Sequence, residues 1–313
     1  MDVLRLTLRQ LQIFVAVAHS GSTAAAGSEI ALSQSATSSA INELERLLSL
    51  RFFDRAGKRL LLNDNGRALL PRALALLDSA AAIERMSRGG TAQAQSLRIG
   101  ASTTIGNYVL PGLLGHFLEG RHQNDAAGWH SRVNISNTEA ICDAVARFEL
   151  DVGLIEGPCH HQELVVTPWL QDELVVVASP GTKTAPASGK VSLKAMRDWV
   201  WLLREAGSGT REATDQHLLP HLHTYRRSIE LGSSEAIKHA AAAGIGSACL
   251  SQWVVADMLE TSRLERVQTK LPKMTRQCYM VVHQGKQPTL ALREFIGQVS
   301  PRTNFSEELS SSI

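Results

Sequence analysis

The sequence predicts an α/β protein preceded by a small all-α unit. Residues 8–48 carry three helical patterns separated by short breaks. A basic glycine turn between extended pieces follows at 51–62, and beyond about residue 97 strand-like and helical runs alternate.

The chain has 313 residues, 44% of them hydrophobic, enough for more than one core. No apolar run is long enough for a membrane helix, and the N-terminus lacks the layout of a secretory signal, so a cytoplasmic protein is expected. The net charge of +2 is uneven: residues 1–90 hold 11 Lys and Arg against 8 Asp and Glu. That bias is compatible with nucleic-acid binding by the N-terminal part.

Leu8, Leu11, Phe14, Val15 and Ala18 recur at helical spacing, and Gly21 is placed to end that helix. Ser22 caps a second, short helix reaching about Ile30. Ser33 caps a third. Ala40, Ile41, Leu44, Leu47 and Leu48 line one face of the third helix, and Gln34, Ser35, Ser38, Ser39 and Asn42 the other. Short hydroxyls and amides suit base edges and phosphates in a major groove, although an ordinary solvated face has the same look. Arg51 to Arg55, Gly57-Lys58-Arg59 and Leu60 to Asn63 then form a β-wing whose Arg55, Lys58 and Arg59 can lie along phosphates. Phe53 reads as a core anchor for the wing.

Between Asp64 and Arg88 the apolar positions Leu69, Ala73, Leu76, Ala80 and Ile83 make a coiled-coil-like seam suited to a second copy of the chain, with Pro71 expected to bend the helix. Gly89, Gly90 and the polar stretch to Ser96 read as a hinge.

Further on, strands are expected at 97–101, 133–136, 151–157, 173–179, 200–203, 228–232 and 278–283. Helices are expected from the first strand to Leu118, and over 139–148, 236–243 and 290–299. The 180–190 loop is expected to be exposed. Polar clusters fall where strands give way to helices: Ser102, Thr103 and Thr104; Asn137 and Thr138; Gly207, Ser208, Gly209, Thr210 and Arg211; Ser233 and Ser234. Helix N-termini with hydroxyls and a nearby Arg211 suit an anion, although each Ser or Thr could simply cap its own helix. Glu156, at the end of a strand, suits either a ligand contact or a hinge contact. Trp199 and Trp201 read as packing. His217, His221 and His223, interrupted by Pro220, read as a surface loop rather than a metal site.

Residues 6–66 resemble the winged helix-turn-helix of LysR-type transcriptional regulators. The matching stretches are LTLRQLQIFVAVAHSGS, ALSQSATSSAINELERLL and LRFFDRAGKRLLLNDNG. Thr37, Ser39 and Asn63 depart from the family pattern, where an aliphatic residue, an arginine and a threonine are common. The rest resembles the LysR-type effector domain, and the runs REAGSGTRE and ASTTIGNYVLPGLL resemble members that sense small anions such as sugar phosphates and sulfur oxyanions.

The resemblance implies a winged helix-turn-helix at 1–63, a linker and dimerisation helix at 64–90, a two-lobed effector domain at 91–302 and a tail at 303–313. The lobes are Rossmann-like and similar to periplasmic binding proteins: lobe I about 96–162 and 272–302, lobe II about 163–268. It also implies a transcription regulator, activator or repressor, that binds double-stranded DNA as a dimer or tetramer. DNA contacts are expected from Ser33, Gln34, Ser35, Ser38, Ser39, Asn42, Arg51, Arg55, Lys58 and Arg59. A small anionic effector (carboxylate, phosphate or sulfur oxyanion) is expected at Ser102, Thr103, Thr104, Asn137, Thr138, Ser208, Gly209, Thr210, Arg211 and Ser234. Contact with RNA polymerase is compatible with that role, and no cofactor, metal or membrane is implied.

Alternatives from other classes are an enzyme and a thiol redox sensor. The chain has no Gly-x-Ser-x-Gly, His-Glu-x-x-His or Walker loop. Of its four cysteines, Cys142, Cys249 and Cys278 sit in apolar runs. Cys159 precedes His160 and His161, which could activate its thiol or share a metal with it.

Overall fold

The computed structural model describes residues 5–57, 59–89, 97–119, 131–182, 184 and 190–299. Lys58, the expected hinge from Gly90 to Ser96, most of the 180–190 loop and the 303–313 tail lie outside the described residues.

The N-terminal unit contains α1 (Leu8–Ser20), α2 (Thr23–Glu29), α3 (Gln34–Leu48), β1 (Phe53–Ala56) and β2 (Arg59–Leu62). Thr7 and Gln10 form a reciprocal capping box at the start of α1. The Oγ atoms of Ser22 and Ser33 accept from the backbone N–H groups of Ala25 and Ala36, starting α2 and α3. Gly21 ends α1 at φ +65°, and its carbonyl accepts from Leu60 N at 2.9 Å, tying the wing to the helices. Leu11, Phe14, Ile41, Leu44 and Phe52 form the core. The Phe14 ring lies 5.5 Å from both Phe52 and Phe53.

The linker helix α4 (Asp64–Gly89) departs from the expected seam. Leu69 and Ala73 pack into the N-terminal core of their own chain, whereas Leu76 and Ile83 are exposed. The first turns are consumed locally, because the wing leaves Phe52 and Leu62 needing cover. Further along, α4 docks on the large domain through charge. Asp78 accepts from Arg98 at 3.0 Å and from Lys286 at 2.7 Å, and both cations also reach Asp151, at 2.7 and 2.6 Å.

The large domain begins with β3 (Leu97–Ser102), α5 (Thr103–Tyr108), α6 (Leu110–Glu119), β4 (Ser131–Ser136), α7 (Thr138–Ala146) and β5 (Val152–Glu156). It continues with β6 (Leu164–Ala178), α8 (Leu193–Met196), β7 (Val200–Leu203), α9 (Gly209–Leu222), β8 (Arg227–Glu230) and α10 (Ser234–Ala242). Then come β9 (Ser247–Ser251), α11 (Gln252–Glu260), β10 (Glu265–Arg266), β11 (Met274–His283) and α12 (Leu290–Val299).

The strands order as β4-β3-β5-β11-β6-β9-β7-β8, with β10 beside β6. The long strands β6 and β11 are antiparallel and run through both lobes. In lobe I, β5 pairs with the second half of β11; in lobe II, β9 pairs with the second half of β6. The β6–β11 register shifts between Gln277 and Tyr279, at the crossing. Each lobe has apolar clusters on both faces of its sheet. Ile99, Phe117 and Phe295 mark one face of lobe I, and Ile141, Val145 and Val281 the other. Trp201 and Leu218 mark one face of lobe II, and Ile237 and Val255 the other.

Several expectations need correction. The strand foreseen at 173–179 is only the second half of β6, because exposed Val165 to Thr167 hide its beginning. The helix to Leu118 breaks at Val109 into α5 and α6. Phe148 falls outside α7 at φ +59°. His217 and His221 lie within α9, not in a surface loop. Buried Leu218 and Leu222 hold that helix to the core of lobe II, and Pro220, which cannot donate to the Gln216 carbonyl, falls in its last turn. The elements β9 and α11 were not foreseen. Trp199 and Trp201 do pack in the core.

Candidate functional site

Two regions gather the expected site residues. The first is a groove of about 320 Å³ between α3 and the wing. Gln34, Ser38 and Asn42 line one wall, and Arg51, Arg55 and Arg59 the other. Ser33 is occupied as the α3 cap and also lies 3.0 Å from Ser35 Oγ. Ser35 and Ser39 are exposed beside the groove, and Gln34 Nε2 donates to Thr23. Arg51 is braced by Glu45 at 2.7 Å, and the same carboxylate accepts from Phe52 N at 2.8 Å. Arg51 is thus aimed along the groove by a buried acid. Thr37 is buried, and its hydroxyl donates back to Ser33 O at 3.0 Å, which satisfies a polar atom where an aliphatic residue was expected.

The second region is the junction between lobes, where the residues expected to meet an effector separate into three groups. Thr103, Asn137 and Ser234 converge on an ion pair that the sequence reading did not single out, Arg204 with Glu205. Arg204 is 3% exposed. Its Nη1 donates to Ser234 Oγ at 2.9 Å, and Nη2 to Thr103 Oγ1 at 3.4 Å, across the lobes. Glu205 takes the guanidinium bidentately at 2.7 and 2.8 Å and also accepts from Asn137 Nδ2 at 3.3 Å. Burial would push the Glu205 carboxyl up, but Arg204 holds it below the usual carboxylate range, so Glu205 is an ionised internal counter-anion. Arg204 and Glu205 open the run REAGSGTRE, already noted for its resemblance to small-anion-sensing members, but were not among the expected contacts; the pair directly follows β7.

Ser102, Thr104 and Thr210 form the second group, around a buried network. Glu156 accepts from Ser102 Oγ and from Thr104 N. Arg276 donates to Asp172 at 2.7 Å, to Thr210 Oγ1 at 2.9 Å and to Thr104 Oγ1 at 3.3 Å. Burial pushes the Asp172 carboxyl up, with Glu156 adding to the push, while Arg276 and Ser251 oppose it. Arg276 and Asp172 sit on β11 and β6 at the crossing, so this network ties the hinge strands to both lobes. Glu156 is buried inside this network, with Ser102, Thr104 and Arg276 around its carboxylate.

The third group lines a recess of about 630 Å³ that includes Thr138, His160, His161, Ser208 and Arg211. Ser208 caps α9. Arg211 turns to Asp215 at 2.9 Å, Glu230 at 3.3 Å and the Arg204 carbonyl at 2.9 Å, away from Thr103. Thr138 Oγ1 donates to Glu156 O and accepts from Gly209 N. A Cβ on Gly209 would meet Glu156 O at 1.7 Å, so only glycine allows the lobes this approach. Among the described residues, no group of three or more His, Cys, Asp or Glu could hold a metal ion. No helix among them is long and apolar enough to cross a membrane.

Comparison with known proteins finds two family matches. Residues 8–67 match the bacterial regulatory helix-turn-helix protein, lysR family, and residues 90–303 match the LysR substrate binding domain. The chain is 44% identical over 299 residues to the uncharacterized HTH-type transcriptional regulator YeiE of Escherichia coli K12, covering 95% of this chain and 98% of that protein. Among solved structures it resembles the Synechocystis CcmR regulatory domain in complex with 2-PG (TM-score 0.57, 30% identity, 65% of this chain and 95% of that one). ArgP from Mycobacterium tuberculosis shares the fold (TM-score 0.68, 16% identity, 94% and 96% covered).

Proposed function

The chain belongs to the LysR family of DNA-binding transcription regulators, and we propose that its effector is a small anion that takes the place of Glu205 on Arg204. The observation that carries this reading is the Arg204 guanidinium. It is buried, it meets hydroxyls from both lobes, and among the described residues its one carboxylate partner is the neighbouring, partly exposed Glu205. Planar, bidentate recognition by arginine suits carboxylates, phosphates and sulfur oxyanions alike. The 2-PG seen in the CcmR domain lends support for that ligand class. Thr103, Asn137 and Ser234 would complete the anion shell.

The groove between α3 and the wing would read operator DNA. Gln34, Ser38 and Asn42 would face base edges, and Arg51, Arg55 and Arg59 phosphates. Anion binding would favour one arrangement of the lobes and pass to α4 through the Asp78 cluster. RNA polymerase would meet the promoter-bound protein in the cytoplasm.

A thermal-shift series with sulfite, sulfate, thiosulfate, inorganic phosphate, phosphoglycolate and short carboxylates tests the effector class. A ligand present at about 100 times its Kd raises the melting midpoint by mass action. Arg204→Gln removes that response. An anion response of full size in Arg204→Gln would refute the site.

A further inference from the structure

We propose that Tyr108 is a latch between the lobes, which through Glu235 and Lys238 holds α5 and α10 at the spacing the anion shell needs before any anion arrives. Tyr108 closes α5 in lobe I, and its hydroxyl donates to Glu235 Oε1 in the first turn of α10 in lobe II. The same hydroxyl accepts from Lys238 Nζ at 3.3 Å, one turn further along α10. Lys238 is 3% exposed, and its ammonium also meets Glu235 at 3.0 Å and Asp257 of α11 at 3.2 Å. It lies 5.6 Å from the centre of the Tyr108 ring. A buried ammonium needs such counter-charges and acceptors, so Lys238 fixes in place the carboxylate that receives the phenol.

The apolar packing around the latch is reciprocal. Tyr108 packs against the lobe II cluster that holds Ile237, Val254 and Val255. Trp253 of α11 packs against the lobe I cluster that holds Ile105 and Phe295. Each lobe thus lends one ring to the core of the other. Ring burial favours close approach without fixing a direction, and the phenol hydroxyl, with a donor and an acceptor both engaged, fixes the register.

The helix α5 begins at Thr103 and α10 at Ser234, the two hydroxyls that Arg204 reaches at 3.4 and 2.9 Å. The length of α5 places Tyr108 about 7.5 Å beyond Thr103. The same two helices are therefore joined twice, at Arg204, where the anion would bind, and at Tyr108, where no ligand is needed. When the lobes part, Thr103 leaves Ser234 and the molecule loses half of the anion shell. Apparent affinity scales with the share of molecules that keep the shell complete, and the latch keeps that share high. Tyr108 is a positioning residue in this scheme and touches no ligand. Its effect on the anion rests on the reading of Arg204 as the anion's partner; the latch itself stands on contacts outside that site.

The test compares the full-length protein with Tyr108→Phe, which keeps the ring and loses the hydroxyl. Without any anion, the peptides carrying α5 and α10 should take up deuterium about fivefold faster in Tyr108→Phe. Uptake by α1 to α3 should stay at the wild-type level, which shows that the fold is kept. Sulfite, sulfate, thiosulfate, inorganic phosphate and phosphoglycolate are then titrated calorimetrically, and whichever binds the wild type should bind Tyr108→Phe about five- to tenfold more weakly. Saturation with that anion should return α5 and α10 to wild-type uptake, a rescue that a merely loosened fold would not show. If none of the five binds the wild type, it is the Arg204 reading that is lost, and uptake without anion alone decides the latch. Equal uptake in the two ligand-free proteins, equal anion affinity, or faster uptake that a saturating anion leaves in place overturns the proposal.

Discussion

Arg204 concentrates the chemistry of the lobe junction in one side chain. A charge-assisted hydrogen bond contributes about 1.5–3 kcal/mol net, so Arg204→Gln should weaken anion binding about 10- to 100-fold. Isothermal titration with the anion found by thermal shift checks the magnitude. Glu205→Gln should act in the opposite direction. It removes the internal competitor and tightens binding about tenfold while lowering the melting point of the ligand-free protein, because Arg204 is left buried without its counter-charge. Weaker anion binding in Glu205→Gln would show that Glu205 helps to hold the ligand instead of yielding to it. Arg204 stood in the sequence only as the first residue of REAGSGTRE, without a role of its own, for a physical reason. Arg-Glu at a strand end looks like a solvated surface pair, and only contacts to Thr103 and Ser234, distant in the chain, give it a role. The Ser, Thr and Gly clusters were legible because helix starts need caps, but capping and ligand contact use the same residue types, so sequence could not separate Thr103 from Thr210.

In the proposed function α4 would link sensing to DNA, and it meets lobe I through the ion pairs of Asp78. Asp78→Asn should leave anion affinity within about twofold of wild type, since the site is distant, while reducing the change in operator affinity caused by the anion. Parallel titrations of anion and of operator DNA separate the two effects, and unchanged coupling in Asp78→Asn would exclude this route. The cluster also predicts a pH dependence. Burial would raise the Asp151 carboxyl, but Arg98 and Lys286 override it and hold it below its ordinary value. Its contribution is therefore complete above an unfolded value of about 3.9 and is lost as the pH falls toward the lower folded value. The difference in urea midpoint between wild type and Asp151→Asn should hold steady above about pH 5 and narrow as the pH falls from there toward about pH 2. A constant difference would mean that Asp151 is not titrating there. The helix itself was evident from periodicity, but the division of its seam was not. Leu69 and Ala73 follow the same spacing as Leu76 and Ile83, and only the position of the wing decides which pair is already covered.

In the molecule as a whole, exposed Leu76 and Ile83 on α4 offer an apolar stripe to a second copy. Ile83→Asp should shift the oligomer toward smaller species by light scattering and weaken operator binding, since paired half-sites gain from linkage; an unchanged mass would place the contact elsewhere. The alternation of strands and helices was readable from sequence because buried strands such as Val152–Glu156 are nearly all apolar. The passage of β6 and β11 through both lobes was not, because half of β6 has a solvated pattern. The most direct measurement is fluorescence anisotropy of a labelled duplex from the promoter beside the gene, titrated with protein over a range of salt, with and without the anion. Log affinity should fall linearly with log salt, the anion should displace the wild-type line, and Arg204→Gln should keep the line without the displacement. Binding indifferent to salt, or an Arg204→Gln protein that answers the anion as wild type does, would contradict the account.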